Sequence, residues 1–264
     1  MLDFSQIRAV VSDMDGVLWR GDAPMNGLHE FFEWLHTRQI LFALATNNSR
    51  RTQADYVAKL AKMGVTGVQE QHIMTSGIAT AHYLQTRFAT GTPIFVVGGV
   101  GLRHEIESAG FVLSDENVEA VVVGLDLEFT YAKARQAMRH LMDGAIFVGS
   151  NDDKALPLED GLAPGAGSIL AMLQTATGKT PIVMGKPNRA MFDAVLKQMN
   201  VAPQHTLMIG DRLNTDIEGA HHVGLRTALV LTGVDTRATA QAYPIQPDAI
   251  FEDLAELVQV WQQA

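Results

Sequence analysis

A chain of 264 residues, 47% hydrophobic and 19% charged, is long enough to build one or two domains around a sizeable core. Its net charge of −9 argues against nucleic-acid polymers as partners, since those demand a basic stripe; beyond the isolated Arg50-Arg51 pair, which reads as a solvated helix start, none is evident. With zero cysteines there is no disulfide framework, thiol nucleophile or thiolate metal site.

Met1 to Gln6 contains Asp3 and no basic residue, and the first apolar run ends by Ser12. Neither a signal peptide nor a membrane span is expected, and the cytoplasm is the expected compartment. Ile7 to Val11 reads as a buried strand running into DMDGVL, Asp13 to Leu18. Side chains two apart on an extended backbone point the same way, so Asp13 and Asp15 can face one site. One carboxylate can attack an electrophile while the other carries protons, and the pair can also hold a hard divalent cation. A strand followed by an Asp-Gly turn is the alternative reading.

Phe31, Phe32, Trp34 and Leu35 suit one face of a helix. Leu41 to Ala45 reads as the next strand and ends in Thr46, Asn47 and Asn48, where Thr46 could equally be a helix N-cap. Tyr56, Val57, Leu60 and Met63 mark a second helix face. From Thr46 to Lys186 the chain runs about 140 residues, whereas one βαβ crossover needs roughly 30 or somewhat more, so something domain-sized is inserted. Further strands are expected inside it at Ile94 to Val97, Ala120 to Val123 and Ala145 to Val148. The expected division is a discontinuous core of residues 1–78 and 180–264 around a second domain of residues 79–179. Gly98, Gly99 and Gly101 follow the first of these strands, but His104 stands where a dinucleotide loop needs its third glycine, so a tight strand-to-helix turn suffices.

Ile182 to Met184 runs into Gly185, Lys186 and Pro187, with Lys186 readable as a surface lysine. Met191, Phe192, Val195, Leu196 and Met199 mark a third helix. Thr206 to Ile209 ends in Gly210 and Asp211, Leu254 to Trp261 reads as a docking helix, and the nine histidines show no convincing metal spacing. Alternating strand-like and helix-like runs are the pattern of an α/β fold with parallel sheets. Ligands of such sheets bind outside the carboxyl ends of the strands, so four polar strand ends, distant in sequence, converge on one crevice.

These motifs resemble those of the haloacid dehalogenase superfamily of aspartate-nucleophile phosphatases, and within it subfamily IIA, the NagD-like or p-nitrophenyl phosphatase family. The resemblance rests on DMDGVL at Asp13, TNN at Thr46, PGAGSI from Pro164 to Ile169, GKPN at Gly185 and GDRLNTDI from Gly210 to Ile217. It implies a Rossmann-like parallel-sheet core carrying a large inserted α/β cap, and hydrolysis of small phosphorylated metabolites such as sugar phosphates or nucleoside monophosphates.

By this resemblance Asp13 is the nucleophile that forms an aspartyl-phosphate, and Asp15 protonates the leaving oxygen and then deprotonates water. Mg2+ is the implied cofactor, with the Asp13 carboxylate, the Asp15 carbonyl and the Asp211 carboxylate as ligands and Asp216 supporting them from behind. Thr46, with backbone donors at Asn47 and Asn48, holds phosphate oxygens, and Lys186 adds positive charge. Asp15 argues against the halide-removing branch, which needs no acid for its leaving group. A phosphomutase remains an alternative on the same core. A non-catalytic phosphate receiver is a third reading, but it needs neither Asp15 nor a large insertion. In the stretch Ser150 to Gly161, Asn151 and Asp153 match the outer residues of a family triplet facing the core site, while Asp152 replaces its proline. They are candidate substrate contacts, or else parts of a solvated acidic turn. Substrate identity and oligomeric state are not encoded in any of these motifs.

Overall fold

The computed structural model describes residues 2–158 and 161–264. The chain divides into two compact units, one made of Met1–Thr46, Gln53–Met74 and Lys186–Ala264, the other of Asn47–Thr52 and Thr75–Gly185. The second unit begins earlier and ends later than the expected interval of 79–179, and it also takes in the short segment after Thr46. Hydrogen bonds explain that addition: the Asn47 carbonyl accepts from the Ser76 hydroxyl at 2.6 Å and from the Asn151 amide at 2.8 Å.

Among the described residues, six strands form the first unit's sheet in the order Ala249–Phe251, Arg226–Val230, Thr206–Gly210, Ala9–Ser12, Leu41–Thr46 and Ile73–Thr75. The Ala9–Ser12 strand pairs in parallel with Leu41–Thr46 on one side and Thr206–Gly210 on the other. All four of its residues are buried, as an Ala-Val-Val-Ser run should be in a parallel sheet covered on both faces. The Leu28–Thr37 helix buries Leu28, Phe31, Phe32 and Leu35, the three-four spacing of one apolar stripe. The C-terminal helix, Leu254–Gln262, starts where the Asp253 side chain accepts the Glu256 N–H at 2.9 Å. It buries Leu254, Leu257, Val258 and Trp261, and Trp261 stacks on Phe4 with ring centroids 4.9 Å apart. Burying each such side chain contributes roughly 1.5–3 kcal/mol.

This order positions the chemistry. Strand order reverses beside the central Ala9–Ser12 strand, and the residues just beyond its carboxyl end and that of Thr206–Gly210 are Asp13 and Asp211.

The second unit holds a five-stranded sheet in the order Ile182–Val183, Ile146–Gly149, Ala120–Val123, Pro93–Val97 and Val112–Leu113, with parallel pairing throughout. Phe95, Val97, Val121, Val123, Leu141, Phe147, Leu170 and Leu173 belong to its own core. The glycine run forms the expected tight turn, with Gly99 as the N-cap of the Val100–Ser108 helix. A Cβ on Gly101 would lie 2.6 Å from the Ser49 carbonyl oxygen, so close backbone approach accounts for that glycine.

One expectation needs correcting. Ile182 and Val183 form a two-residue strand that pairs with Ile146–Gly149 in the second unit's sheet, not a strand of the core. An apolar tripeptide signals a strand, but it carries no information about which of two sheets will accept it. The Ser150 to Gly161 stretch is also more ordered than a loop, since Ala155–Leu158 pairs antiparallel with Gly161–Pro164; Glu159 and Asp160 of that stretch lie outside the described residues. Among the described residues no helix is long and apolar enough to cross a membrane.

Candidate active site

The central strand delivers Asp13 with its backbone fixed, because the Asp13 N–H extends the ladder to the Ile209 carbonyl at 2.8 Å. The chain then turns through Gly16, whose φ of +92° is disfavoured for a side-chain-bearing residue. A Cβ at Gly16 would also lie 2.6 Å from Asp211 Oδ2. Past this turn the Gly16 N–H donates to the Trp19 carbonyl at 2.8 Å, and the Trp19 indole N–H donates to Asp15 Oδ1 at 2.7 Å. Asp15 itself is exposed.

Lys186 links the strand ends. Its Nζ lies 2.5 Å from Asp13 Oδ1 and 2.8 Å from Asp216 Oδ1, and it donates to the Ala45 carbonyl at 2.9 Å. With only 2% of its side chain exposed, it is no surface lysine. Asp216 enters from the Leu213–Ile217 π-helical turn, where its Oδ2 accepts the Arg212 N–H at 3.1 Å. Thr46, the last residue of its strand, is buried in the same unit.

Three carboxylates and one ammonium make an unbalanced cluster. Burial, which outweighs the attraction of Lys186, raises the Asp13 carboxyl well above the usual carboxylate range, and repulsion from Asp216 and Asp211 adds to the shift. Burial and then Asp216 push Asp211 up to about 6, against the opposing Val234 N–H, Arg212 and Lys186. For Lys186, burial favours loss of the proton, but the adjacent Asp13 and Asp216 outweigh it and the ammonium is held more firmly than usual.

The residues present fit a hard divalent cation. Asp13, Asp211 and Asp216 each offer a carboxylate oxygen within 4.8 Å of the others, and Asp211 Oδ1 is buried without a hydrogen-bond partner among the described residues. An all-oxygen donor set of this kind suits magnesium, and a cation would balance the carboxylates and supply the missing partner of Asp211. Asp216 is less available than Asp211: its Oδ1, which likewise lacks a hydrogen-bond partner among the described residues, is ion-paired with Lys186 at 2.8 Å, and its Oδ2 accepts the Arg212 N–H.

Sequence reasoning missed the segment that fixes Asp211. The Val234 N–H donates to Asp211 Oδ2 at 2.8 Å, the Asp235 N–H to the Asp211 carbonyl at 3.0 Å, and the Leu213 N–H to Asp235 Oδ2 at 2.8 Å. Thr232 Oγ1 donates to the Gly16 carbonyl at 2.6 Å, joining this segment to the Asp13 turn. The signal was available: Thr227 to Leu231 is an apolar run ending in Thr-Gly-Val-Asp, the same strand-end pattern as the motifs that were read. Trp19, the partner of Asp15, left no comparable signal.

The second unit gathers the other candidates. The Asn47 amide donates to Asp153 Oδ1 at 3.3 Å. Asn151 gives its amide hydrogens to the Asn47 carbonyl and to Ser150 Oγ, at 2.8 and 3.3 Å, while its Oδ1 accepts the Asp153 N–H at 3.2 Å. Asn151 is buried, and it ties the Asn47 segment to the Ser150 strand end. The Asn48 side chain accepts the Arg50 N–H at 3.1 Å, the geometry of an Asx turn.

Residues 10–112 match the family model of the haloacid dehalogenase-like hydrolases, and residues 183–257 match a related HAD-hydrolase-like model. A dihydroxyacetone phosphatase from Corynebacterium glutamicum is 35% identical, the alignment covering 95% of this chain and 90% of that protein. The crystal structure of a 4-nitrophenylphosphatase from Thermotoga maritima superposes with a TM-score of 0.92 at 34% identity, over 97% of this chain and 98% of the other. A glycerol phosphate phosphatase from Mycobacterium tuberculosis, solved in complex with magnesium, gives a TM-score of 0.88 at 33% identity, over 96% of this chain and 77% of that one. Strand order, strand-end chemistry and these likenesses lead to one assignment: the chain belongs to the haloacid dehalogenase superfamily, in its NagD-like, p-nitrophenyl phosphatase subfamily IIA, and is a phosphoric monoester hydrolase.

Proposed function

We propose that this enzyme hydrolyses small phosphomonoesters, of the sugar phosphate or nucleoside monophosphate kind, with magnesium and through a phosphorylated Asp13. The observation that carries the reading is the Lys186 bridge between Asp13 and Asp216 beside an Asp211 oxygen with no hydrogen-bond partner among the described residues. The relatives named dihydroxyacetone phosphatase and glycerol phosphate phosphatase support a small phosphorylated substrate.

In this reading Asp13 attacks phosphorus, and the bond to the leaving oxygen breaks as the bond to the Asp13 carboxylate forms. Asp15 donates its proton to that leaving oxygen. It then takes a proton from water, which attacks the same phosphorus and frees Asp13. Thr46 and Lys186 hold the non-reacting phosphate oxygens and offset their charge. The carboxylates of Asp13 and Asp211, with the Asp15 carbonyl, would hold the magnesium, and Asp216 would steady them from behind. Once bound, the ion supplies positive charge that lets an anionic substrate approach these acids.

The test is Asp13→Asn, which keeps shape while removing the attacking oxygen. Steady phosphate release from p-nitrophenyl phosphate should disappear while the far-ultraviolet circular dichroism is retained. Turnover near the wild-type rate in that variant would refute the mechanism.

A further inference from the structure

We infer that Trp19 is a positioning residue for proton transfer, dictating which oxygen of Asp15 carries the exchangeable proton; this rests on Asp15 being the acid-base group. The indole N–H can only donate. Because it donates to Asp15 Oδ1 at 2.7 Å, Oδ1 is committed as an acceptor whether or not the carboxyl is protonated. The proton therefore rides on Oδ2, which accepts no hydrogen bond from any described residue, on an exposed side chain. A free carboxyl would share its proton between two oxygens and rotate between them; this one presents a single oxygen in a single orientation, which is how positioning raises a rate.

The geometry behind that hydrogen bond is built for it. Trp19 is fully buried and held by its own backbone, its carbonyl taking the Gly16 N–H at 2.8 Å and its N–H donating to the Met14 carbonyl at 3.4 Å. The Gln53–Lys62 helix frames the ring from outside. Tyr56 stacks on it with centroids 6.3 Å apart at 18°, and Lys59 Nζ sits 4.5 Å from the ring centroid while donating to the Gly21 carbonyl at 2.7 Å. A cation over an indole face draws electron density from the ring, which makes its N–H a stronger donor.

In the catalytic cycle, the proton on Oδ2 passes to the leaving oxygen as the phosphorus–oxygen bond breaks and the bond to Asp13 forms. The same Oδ2 then receives a proton from the attacking water, which returns Asp15 to its starting form. Trp19 exchanges no proton in either half.

The experiment replaces Trp19 with 3-benzothienylalanine, whose sulfur keeps the bicyclic shape and removes the N–H, alongside Trp19→Phe, Asp15→Asn and the double variant in the Asp15→Asn background. Each is assayed on p-nitrophenyl phosphate, whose leaving group needs little protonation, and on an alkyl phosphate, which needs it fully. The expected result is a fall in kcat of roughly 10-fold on the alkyl ester and under about 3-fold on the aryl ester, with KM and Tm held in the benzothienyl variant. In the Asp15→Asn background the same replacement should add nothing that depends on the leaving group. Equal losses on both esters, or no loss, would overturn the inference while leaving Asp15→Asn to report separately on the acid-base reading. If Asp15→Asn itself proved insensitive to the leaving group, that reading would fail and this inference with it.

Discussion

Lys186 is the residue on which the buried charges depend. Removing it leaves Asp13 and Asp216 facing each other out of water, and the loss of one member of a buried ion pair typically costs about 3–5 kcal/mol. Lys186→Met should therefore lower the urea midpoint by a corresponding amount and reduce kcat by at least about 10²-fold, measured by denaturation and by phosphate release. Asn151 poses a different question, because both its amide hydrogens are spent inside its own unit on Asn47 and Ser150, and its Oδ1 accepts the Asp153 N–H. Asn151→Ala leaves the Asn47 carbonyl with one partner fewer and should destabilise the fold by about 1–3 kcal/mol. Its ranking of phosphomonoesters by kcat/KM should match the wild type; a reordered ranking would return Asn151 to the substrate contacts. At this scale, Asp13, Asp15, Lys186 and Asp211 were legible because each stands in a short polar run where an apolar run ends. Trp19 was not, since it reads as one more apolar residue until the turn at Gly16 brings it back against Asp15.

Elements were legible where their periodicity was long and uninterrupted. The stripe of Leu254, Leu257, Val258 and Trp261 and the Val-rich Ala120–Val123 strand appear close to where pattern alone puts them. The Ile182–Val183 strand was misassigned because two residues of edge pairing leave the choice of sheet to tertiary contacts. The π-helical turn at Leu213–Ile217 is invisible to a helical period, yet it turns Asp216 toward Lys186. A smaller element carries a pH prediction. In the Glu70–His72 turn, His72 Nδ1 accepts the Gln69 N–H at 2.9 Å and its ring stacks on Phe42 at 4.4 Å, an arrangement that requires the neutral imidazole. Burial, and then the charge of His36, lower its pKa below the ordinary 6.5. Between the lowered value and 6.5 the unfolded chain binds a proton that the folded chain does not, so this contribution is complete above 6.5 and is lost as pH falls through that window. The His72 ring resonances should titrate below 6.5 by NMR, and His72→Gln should show a smaller fall in unfolding midpoint between neutral and mildly acid pH than the wild type.

For the whole molecule, the size of the insertion was legible from the distance between Thr46 and Lys186, while its edges were not. Residues 47–52 fall with the second unit through hydrogen bonds made at Asn47, Ser49 and Arg50, and no compositional change marks that allegiance. The carboxylate cluster is likewise a property of the assembled core, because Asp13, Asp211 and Asp216 meet only once strands distant in sequence have paired. Chelation should abolish phosphate release, and magnesium should restore it. The same ion should also raise Tm without any substrate, since a ligand at about 100 times its Kd stabilises the state it binds by about 2.7 kcal/mol. Full activity after exhaustive chelation, or a Tm indifferent to magnesium, would argue against a cation in this cluster.

The central position of the Ala9–Ser12 strand has a consequence for biosynthesis. Its neighbour on one side, Thr206–Gly210, is encoded about 200 residues downstream, so the ribosome emits Asp13 long before the segment that completes its surroundings. At roughly 5–20 residues per second the interval is on the order of 10–40 s. Throughout it, an apolar Ala-Val-Val edge stands without its later partner, the kind of edge that recruits other chains. The inserted unit, whose strands among the described residues lie between Pro93 and Val183, finishes translation within that wait. The polypeptide thus carries the Asp13 carboxylate from early in its synthesis and gains the lysine and the further carboxylates that gather around it only after the inserted unit has been made.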